Sequence, residues 1–379
     1  EHTLILAAEK SKPSDVRMPV STPLAAATTT REPRNSVVSS YTALSKQVRE
    51  AGLLARATSY YLWLIAILTV ALGGLVTGFV LLGHSWFQLI IAGLLGIVLT
   101  QFSFITHEMA HRVVFSSGPT NDKWGRLMAN AVAGISYTWW MNKHTRHHAN
   151  PNQVGKDPDI EPDTILFLEE DAAKRKGILG WITQFQGYAF FPLLTLEGLN
   201  LHVTSIRSVI SNEKGKSRVI ELTTIGLRLS IYFALIFWAL PVGMAFAFIG
   251  VQMAVFGVYM GASFAPNHKG MAIIPAGSKL DFLSKQVLTS RNIRGGKFMS
   301  VVFGGLNFQI EHHLFPSMAR PHLIAASKLV KAHCAAMSMP YTEVPMMESY
   351  RIVIAYLNRV GLGGRDPFDC PTFNNLRRV

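Results

Sequence analysis

Long apolar runs alternate with polar segments through most of this chain. Residues 60–83 and 87–106 form two such runs with a short polar break between them. Residues 222–240 and 244–265 form two more, separated by a Pro-Val-Gly break. Each run is long enough for a helix to cross the roughly 30 Å of bilayer hydrocarbon. The pattern predicts four transmembrane helices arranged as two hairpins.

Two further apolar stretches, residues 127–140 and 178–206, are predicted not to cross the membrane. The first is too short to span, and the second is interrupted by polar residues such as Glu197 and Asn200. We expect both to form helices that lie in or against the membrane interface. The predicted fold class is therefore an all-α membrane protein with four transmembrane helices plus interfacial helices.

The remaining parts of the chain divide by composition. Residues 1–45 are rich in Ser, Thr, Pro and Ala and are predicted to be a disordered N-terminal segment. Residues 46–340 are predicted to form the membrane domain, and residues 341–379 a cytosolic C-terminal tail.

The distribution of charge predicts the orientation. The chain is 49% hydrophobic and only 16% charged, with a net charge of +13, and its basic residues accompany the apolar spans. This placement favours a membrane surface over nucleic acid as partner. Neither hairpin connection carries a charged residue, whereas Lys and Arg flank the other ends of the spans. The positive-inside bias predicts a multi-pass protein with both termini in the cytosol.

Seven of the 13 histidines fall into three short clusters. Residues three or four apart share one face of a helix, so each cluster can direct its imidazoles at one volume. The clusters are His107 with His111, His144 with His147 and His148, and His312 with His313.

This number of imidazoles exceeds what one tetrahedral ion takes, which indicates two metals. Cys334 and Cys370 form no CxxC motif, so sulfur ligation is not expected. Iron is the leading choice, because a nitrogen-rich pair of redox metals beside a bilayer suits oxygen activation. A shared site also requires all three clusters on the same side of the membrane, which the positive-inside bias predicts to be the cytosolic side. A single crossing by residues 178–206 would put His312 and His313 on the opposite side from the other clusters.

Two other functions fit parts of the pattern. His107, Glu108 and His111 match the H-E-x-x-H signature of zinc metalloproteases, but that assignment leaves five clustered histidines unexplained. A metal transporter would place ionisable groups in the middle of its spans, whereas these histidines lie at the predicted cytosolic ends.

The order HxxxH, HxxHH, QxxHH resembles the three histidine boxes of the integral-membrane fatty acyl desaturases, and the similarity extends over residues 60–322. The segment from Gln309 to Pro316 is most similar to the front-end branch, in which Gln replaces the first His of the third box. The segment from Pro151 to Asp159 and the pair Asn267-His268 also resemble that branch.

The resemblance implies a di-iron centre within a cytosolic helical cap. A ligating imidazole commonly donates its other N–H to a carboxylate, so nearby acidic residues are expected to orient the ligands. The expected ligands are His107, His111, His144, His147, His148, His268, His312 and His313, with Gln309 as a further candidate. The residues expected to surround them are Asp157, Asp159, Glu108, Glu311 and His202.

The resemblance further implies an enzyme of fatty acid biosynthesis that inserts a cis double bond into a long acyl chain, using O2 and two electrons. The substrate would be an acyl-CoA or an acyl lipid. Many front-end desaturases carry a fused b-type cytochrome with a His-Pro-Gly-Gly motif, which this sequence lacks. A separate ferredoxin or b-type cytochrome with its reductase is therefore expected to donate the electrons. A fatty acyl or lipid hydroxylase on the same scaffold is the alternative, since the ligands alone do not distinguish the two reactions.

Overall fold

A computed structural model describes residues 34–212 and 214–363. Most of the described part of the chain is helical, with almost no sheet. Its α-helices are α1 (Arg34–Glu50), α2 (Thr58–Leu82), α3 (Gln88–Ala110), α4 (Gly118–Leu127), α5 (Tyr137–Ala149), α6 (Glu169–Lys174), α7 (Gly177–Thr183), α8 (Gln186–Leu193), α9 (Glu197–Asn212), α10 (Gly215–Ala239), α11 (Val242–His268), α12 (Phe282–Thr289), α13 (Gly296–Val302), α14 (Gln309–Leu314), α15 (Leu323–Ala336) and α16 (Met346–Gly363). A π-helical segment (Met128–Ala133), four short 3-10 segments (Pro158–Ile160, Leu194–Leu196, Leu306–Phe308 and Arg320–His322) and two strands, β1 (Asn292–Arg294) and β2 (Glu343–Pro345), complete the described elements.

The four predicted spans are confirmed as helices. Within the described ranges, α2, α3, α10 and α11 are the helices long and apolar enough to cross a membrane. Hydropathy marks only the apolar part of each, and α3 and α11 continue past their predicted ends to Ala110 and His268. As a consequence, His107 and His268 lie in the last turns of membrane-spanning helices.

Residues 127–140 and 178–206 form shorter elements, and neither stretch is among those four candidate spans. Several apolar side chains of α7 face outward: Ile178 is 78% exposed and Trp181 is 60% exposed. Such a surface suits a helix lying along a bilayer, and its position at the interface stays a prediction.

Close contacts between backbones hold the helices that end in histidines. A Cβ atom added to Gly96 of α3 would lie 2.9 Å from the carbonyl oxygen of Gln252 in α11. A Cβ on Gly257 of α11 would likewise lie too close to the backbone nitrogen of Gly198 in α9. Small residues at these crossings let the backbones touch, which is how transmembrane helices commonly pack. The packing fixes the relative positions of His107 and His268.

The start of α5, which carries the second histidine cluster, is anchored to a spanning helix. The buried Glu221 of α10 accepts hydrogen bonds from the backbone nitrogen and the hydroxyl of Thr138, at 3.2 and 2.6 Å, and from the Ser136 hydroxyl. Ser136 in turn caps α5 by accepting from the backbone nitrogen of Trp139 at 3.0 Å. Carboxylate and hydroxyl acceptors satisfy free N–H groups at the positive end of a helix. Glu221 therefore positions the second cluster from within α10.

The N-terminal prediction was wrong for residues 34–45, which belong to helix α1. Leu44 and Val48 of that helix are fully buried in a core that also contains Val330 and Cys334 of α15. Apolar residues four apart gave the helix a buried face, although the composition of the segment as a whole suggested disorder. Residues 1–33 lie outside the described part of the chain.

The predicted boundary of a C-terminal tail at residue 341 was also wrong. β2 pairs in parallel with β1, with Val344 opposite Ile293. α16 then buries Val353 and Leu357 in a core shared with Phe190 of α8. These contacts join segments far apart in the sequence, so local composition did not reveal them. Residues 364–379 lie outside the described ranges.

Candidate metal centre

The eight histidines predicted as ligands come together at one end of the helical bundle, in two adjacent groups. Within each group the nearest side-chain nitrogens all lie within 4.8 Å of one another. Group one consists of His107, His111, His144, His148 and His312. Group two consists of His147, His268 and His313.

The two His-His pairs each divide between the groups. His147 belongs to group two and His148 to group one, and His312 and His313 divide in the same way. Neighbouring residues on an α-helix point about 100° apart, because a turn takes 3.6 residues. The rings of His148 and His313 stack at a centroid distance of 4.2 Å. The pairs therefore keep two separate groups in direct contact.

In group two, each imidazole is oriented through its Nδ1 atom. An Nδ1 that faces an oxygen acceptor carries the proton, which leaves the lone pair on Nε2. Gln286 presents its oxygen, because its amide nitrogen donates to the carbonyl of His148 at 3.0 Å. The acceptors are the Asp157 carboxylate for His147 at 3.0 Å, the Thr289 carbonyl for His268 at 2.8 Å and Gln286 Oε1 for His313 at 2.8 Å.

The Nε2 atoms of group two consequently face one another. Those of His147 and His268 are 3.2 Å apart, and the buried Nε2 of His313 has no hydrogen-bond partner among the described residues. Gln309 borders the same volume, with its amide nitrogen 2.8 Å from His268 Nε2. Lone pairs converging on a buried point, each backed by an acceptor on the other nitrogen, are what a metal-binding histidine site requires.

The imidazole nitrogens of group one lie close to one another, and those of His107 have no hydrogen-bond partner among the described residues. Neither ring nitrogen of the buried His107 has a hydrogen-bond partner in the described part of the chain. The Nε2 atoms of His111 and His144 are 2.7 Å apart, and those of His148 and His312 are 3.1 Å apart. Imidazoles bound to one ion at about 2.0 to 2.1 Å would have nitrogens at roughly such separations. The donor set of group one therefore also fits a metal ion.

Electrostatics favour the neutral form of most of these histidines. Burial lowers the pKa of His111 to about 4. Burial and the neighbouring imidazoles lower the pKa values of His144, His148, His312 and His313 well below the usual range. Since a metal must displace any proton from its ligand, neutral imidazoles bind it without that competition near pH 7.

His147 differs from its neighbours because two carboxylates face it. Burial lowers the pKa of His147, but Asp159 and Asp157 more than offset that effect and raise it. Asp157 is fully buried and also accepts from the backbone nitrogen of Asn152 at 2.6 Å. Asp159 lies 3.4 Å from His147 Nδ1 and pairs with Lys143 at 3.0 Å. The structure thus places both aspartates beside His147.

The structure places Glu108 and Glu311 elsewhere. Glu108 forms a buried two-pronged ion pair with Arg320, at 2.7 and 3.1 Å, and accepts from the Tyr61 hydroxyl at 3.0 Å. Glu108 follows His107 on α3 and therefore points to a different side of the helix. A carboxylate held in this way is not free to act as the base of a zinc protease.

Glu311 accepts hydrogen bonds from Asn292 Nδ2 at 2.7 Å and from the Tyr341 hydroxyl at 2.9 Å. Burial raises its pKa to about 7. His202 lies on α9, and its ring nitrogens face the carbonyl oxygens of Gly198 at 2.7 Å and Ala133 at 3.1 Å. These contacts make His202 a packing residue of the helices rather than a partner of the ligands.

The sequence analysis missed several residues that contact the ligands. Trp140 stacks on His144 with ring centroids 5.1 Å apart, and it also borders His107 at 6.3 Å. Trp140 lies one helical turn before His144, and this spacing could have predicted that the two side chains are in contact. The contact of Gln286 with His313 could not be predicted from the sequence, because Gln286 lies 27 residues before His313 and outside any motif.

Asp157→Ala is expected to weaken metal binding at group two by about 10- to 100-fold, the usual effect of removing the acceptor behind a ligating histidine. Without the carboxylate, the His147 ring loses the partner that fixes its proton on Nδ1. Metal content after dialysis against graded chelator measures the effect. Asp163→Ala, which removes an exposed carboxylate of the following loop, is the control. Equal metal retention by the two variants would contradict the role given to Asp157.

Comparison with known proteins shows which family the chain is similar to. The family model for fatty acid desaturases matches residues 84–345. The chain is 28% identical over 352 residues to Delta(8)-fatty-acid desaturase 2 of Arabidopsis thaliana, covering 89% of this chain and 77% of that protein. It is 29% identical over 340 residues to Delta(6)-fatty-acid desaturase fat-3 of Caenorhabditis elegans, covering 86% and 75%.

A Delta(8)-fatty-acid desaturase of Euglena gracilis is 29% identical over 308 residues, which cover 78% of this chain and 73% of the relative. The matched family region contains all three histidine boxes and both histidine groups. With its four apolar helices and its buried histidine cluster, this chain belongs to the fatty acid desaturase family and is a membrane oxidoreductase that acts on fatty acids.

Proposed function

We propose that this protein inserts a cis double bond into a long acyl chain at a di-iron centre held by groups one and two. The observation that carries the proposal is the pair of adjacent all-imidazole groups, buried or half-buried, which form around the last turns of the spanning helices α3 and α11. Two iron ions bound there would supply, with O2 and two electrons, the oxidising power needed to remove hydrogens from unactivated methylene groups.

The residues around the groups would hold this centre in one geometry. Asp157, Gln286 and the Thr289 carbonyl fix the proton of each group-two histidine on Nδ1, which keeps the Nε2 lone pairs pointed at the metal. Trp140 and Phe264 pack against each other, with ring centroids 5.7 Å apart, and both border His107. These rings would keep water away from group one.

We place the reacting part of the acyl chain on the apolar side of group one. Phe264 packs against a hydrophobic cluster formed by residues of α3, α9 and α11. The members of this cluster include Leu99, Leu201, Phe256 and Met260. An acyl chain lying along such residues would reach group one directly from the bilayer. The names of the two relatives give the double-bond positions Delta(8) and Delta(6). These names support a double bond toward the carboxyl end of the acyl chain.

We further propose that the histidine groups face the cytosol and that a ferredoxin or b-type cytochrome with its reductase supplies the electrons. The charge-free hairpin connections and the basic residues at the opposite ends of the spans support this orientation.

The test is product analysis in cells that express this chain with a ferredoxin and its reductase. Total fatty acids are separated by gas chromatography, and mass spectrometry locates each double bond. The matched control is the His147→Ala/His148→Ala variant, expressed at the same level in membranes. A new unsaturated acid that is absent from the control is the expected result.

Other outcomes would overturn the proposal in distinguishable ways. A hydroxylated acid in place of an unsaturated one would assign the protein to the hydroxylases. Zinc in place of iron in the purified, folded protein would contradict the proposed centre. The metal content of the same preparations, measured by mass spectrometry, decides between iron and zinc.

A further inference from the structure

Two lysines, which we call the Lys156–Lys285 surface, lie on the outer side of group two. Lys156 is exposed in the loop that follows α5, directly before Asp157. Lys285 lies on α12, with its ammonium group 3.3 Å from Gln153 Oε1 and 3.5 Å from Asn150 Oδ1. Lys285 therefore contacts the residues that directly follow α5, the helix of the second histidine cluster. Lys156 directly precedes Asp157, which orients His147.

The positive charges of this surface are not neutralised within the described part of the chain. Neither ammonium group has a carboxylate within 4.0 Å there, whereas other basic residues near the site do have such partners: Lys143 pairs with Asp159, and Arg146 with Glu161. Burial and the charge of Lys156 both lower the pKa of Lys285. Two like charges held close together repel each other, and a negatively charged partner would relieve that repulsion.

A short path leads from this surface to group two. Gln286 follows Lys285 in α12, is fully buried and accepts the hydrogen bond from His313 Nδ1 at 2.8 Å. The same side chain donates to the carbonyl of His148 at 3.0 Å. Lys285 at the surface is thus the neighbour in the chain of a residue that makes a hydrogen bond to a histidine of group two.

The position of the surface also separates it from the apolar side of the site. Phe264 and Trp140 border group one, and the hydrophobic cluster proposed for the acyl chain continues from Phe264. Lys285 is linked through Gln286 to group two instead. A partner that delivers electrons fits this place better than the head group of the acyl substrate.

We propose that the Lys156–Lys285 surface is the docking site of an acidic electron-transfer protein, which reduces the metal centre through Gln286 and His313. This inference rests on the proposed function and locates where its electron donor binds. Each encounter oxidises the donor by one electron and reduces one ferric ion to ferrous, so two encounters supply the two electrons for each double bond. The basic surface would steer the acidic donor toward this point of the enzyme.

The test compares charge-reversal variants in binding to an acidic [2Fe–2S] ferredoxin. The variants are Lys156→Glu, which changes one exposed side chain, and Lys156→Glu/Lys285→Glu. The control for the double variant is Lys176→Glu/Lys328→Glu, which changes the net charge equally at two exposed lysines of other segments. Calorimetry with the detergent-solubilised protein measures binding in both its iron-free and its iron-loaded form. This readout does not depend on catalysis.

We expect the double variant to bind ferredoxin about tenfold more weakly at low ionic strength, with the difference shrinking as salt screens the charges. The single variant should show a smaller loss in the same direction. The rate of iron reduction by dithionite, which needs no docking, should equal that of the wild type.

Two results would overturn the docking proposal. The double variant could bind ferredoxin as tightly as the control does, or it could instead raise the KM for acyl-CoA, which would assign the surface to the substrate. Failure of the proposed function is distinguishable, because the wild type would then form no unsaturated acid whatever its affinity for ferredoxin.

Discussion

His313→Ala is expected to remove the metal of group two and to lower desaturation at least about 100-fold, since losing a ligand costs no less than losing the residue behind it. Group two has three imidazoles, and the variant leaves only His147 and His268. Its neighbour His312 belongs to group one, where four imidazoles would remain after substitution. Four is enough for a tetrahedral site, so His312→Ala should retain more metal than His313→Ala.

Metal per chain, measured by mass spectrometry on purified protein, checks this difference, and product analysis checks the loss of activity. His322→Ala serves as the control, because His322 lies outside both histidine groups. Equal metal loss in the two neighbouring variants would contradict the division into a five-histidine and a three-histidine group.

Arg320→Ala is expected to lower the free energy of unfolding by about 3 to 5 kcal/mol, the usual cost of breaking a buried ion pair from one side. The substitution leaves the Glu108 carboxylate without its main partner in a buried setting. Arg320 also donates its backbone N–H to the Tyr61 hydroxyl at 2.9 Å, which in turn contacts Glu108. The ion pair joins α3, which carries the first histidine box, to the segment that follows the third box.

Thermal unfolding in one detergent, followed together with metal content, measures this effect. Arg351→Ala is the control, because the Arg351 side chain is 78% exposed and its ion pair with Glu348 is long, at 3.7 Å. Exposed pairs of that kind contribute only about 0 to 1 kcal/mol. The double variant Glu108→Gln/Arg320→Met removes both charges and should be less destabilised than Arg320→Ala alone. A stability equal to that of the control would contradict the structural role of the pair.

The contacts of Glu108 show how local spacing misleads. In the sequence, Glu108 stands between His107 and His111. This position predicts either the glutamate of a protease motif or a carboxylate that orients a metal ligand. In the folded chain its partner is Arg320, 212 residues away. The spacing of a motif does not reveal which distant segment packs against the next side of the helix.

The sequence by itself determined the all-α membrane fold, the four spans and seven of the eight histidines that gather at one place. Each of these follows from local properties: the length of an apolar run, or residues at helical spacing. Family resemblance added His268, which stands outside the three histidine boxes, and the role of Gln309, the first residue of the third box.

Only the tertiary structure decided how those histidines divide into groups of five and three, and which residues hold them. Gln286 and the Thr289 carbonyl reach the site from segments that carry no motif. The helices α1 and α16 likewise pack into hydrophobic cores formed with distant segments of the chain. Such contacts depend on the packing of segments distant in the chain, whereas periodicity and composition report only on neighbours along it.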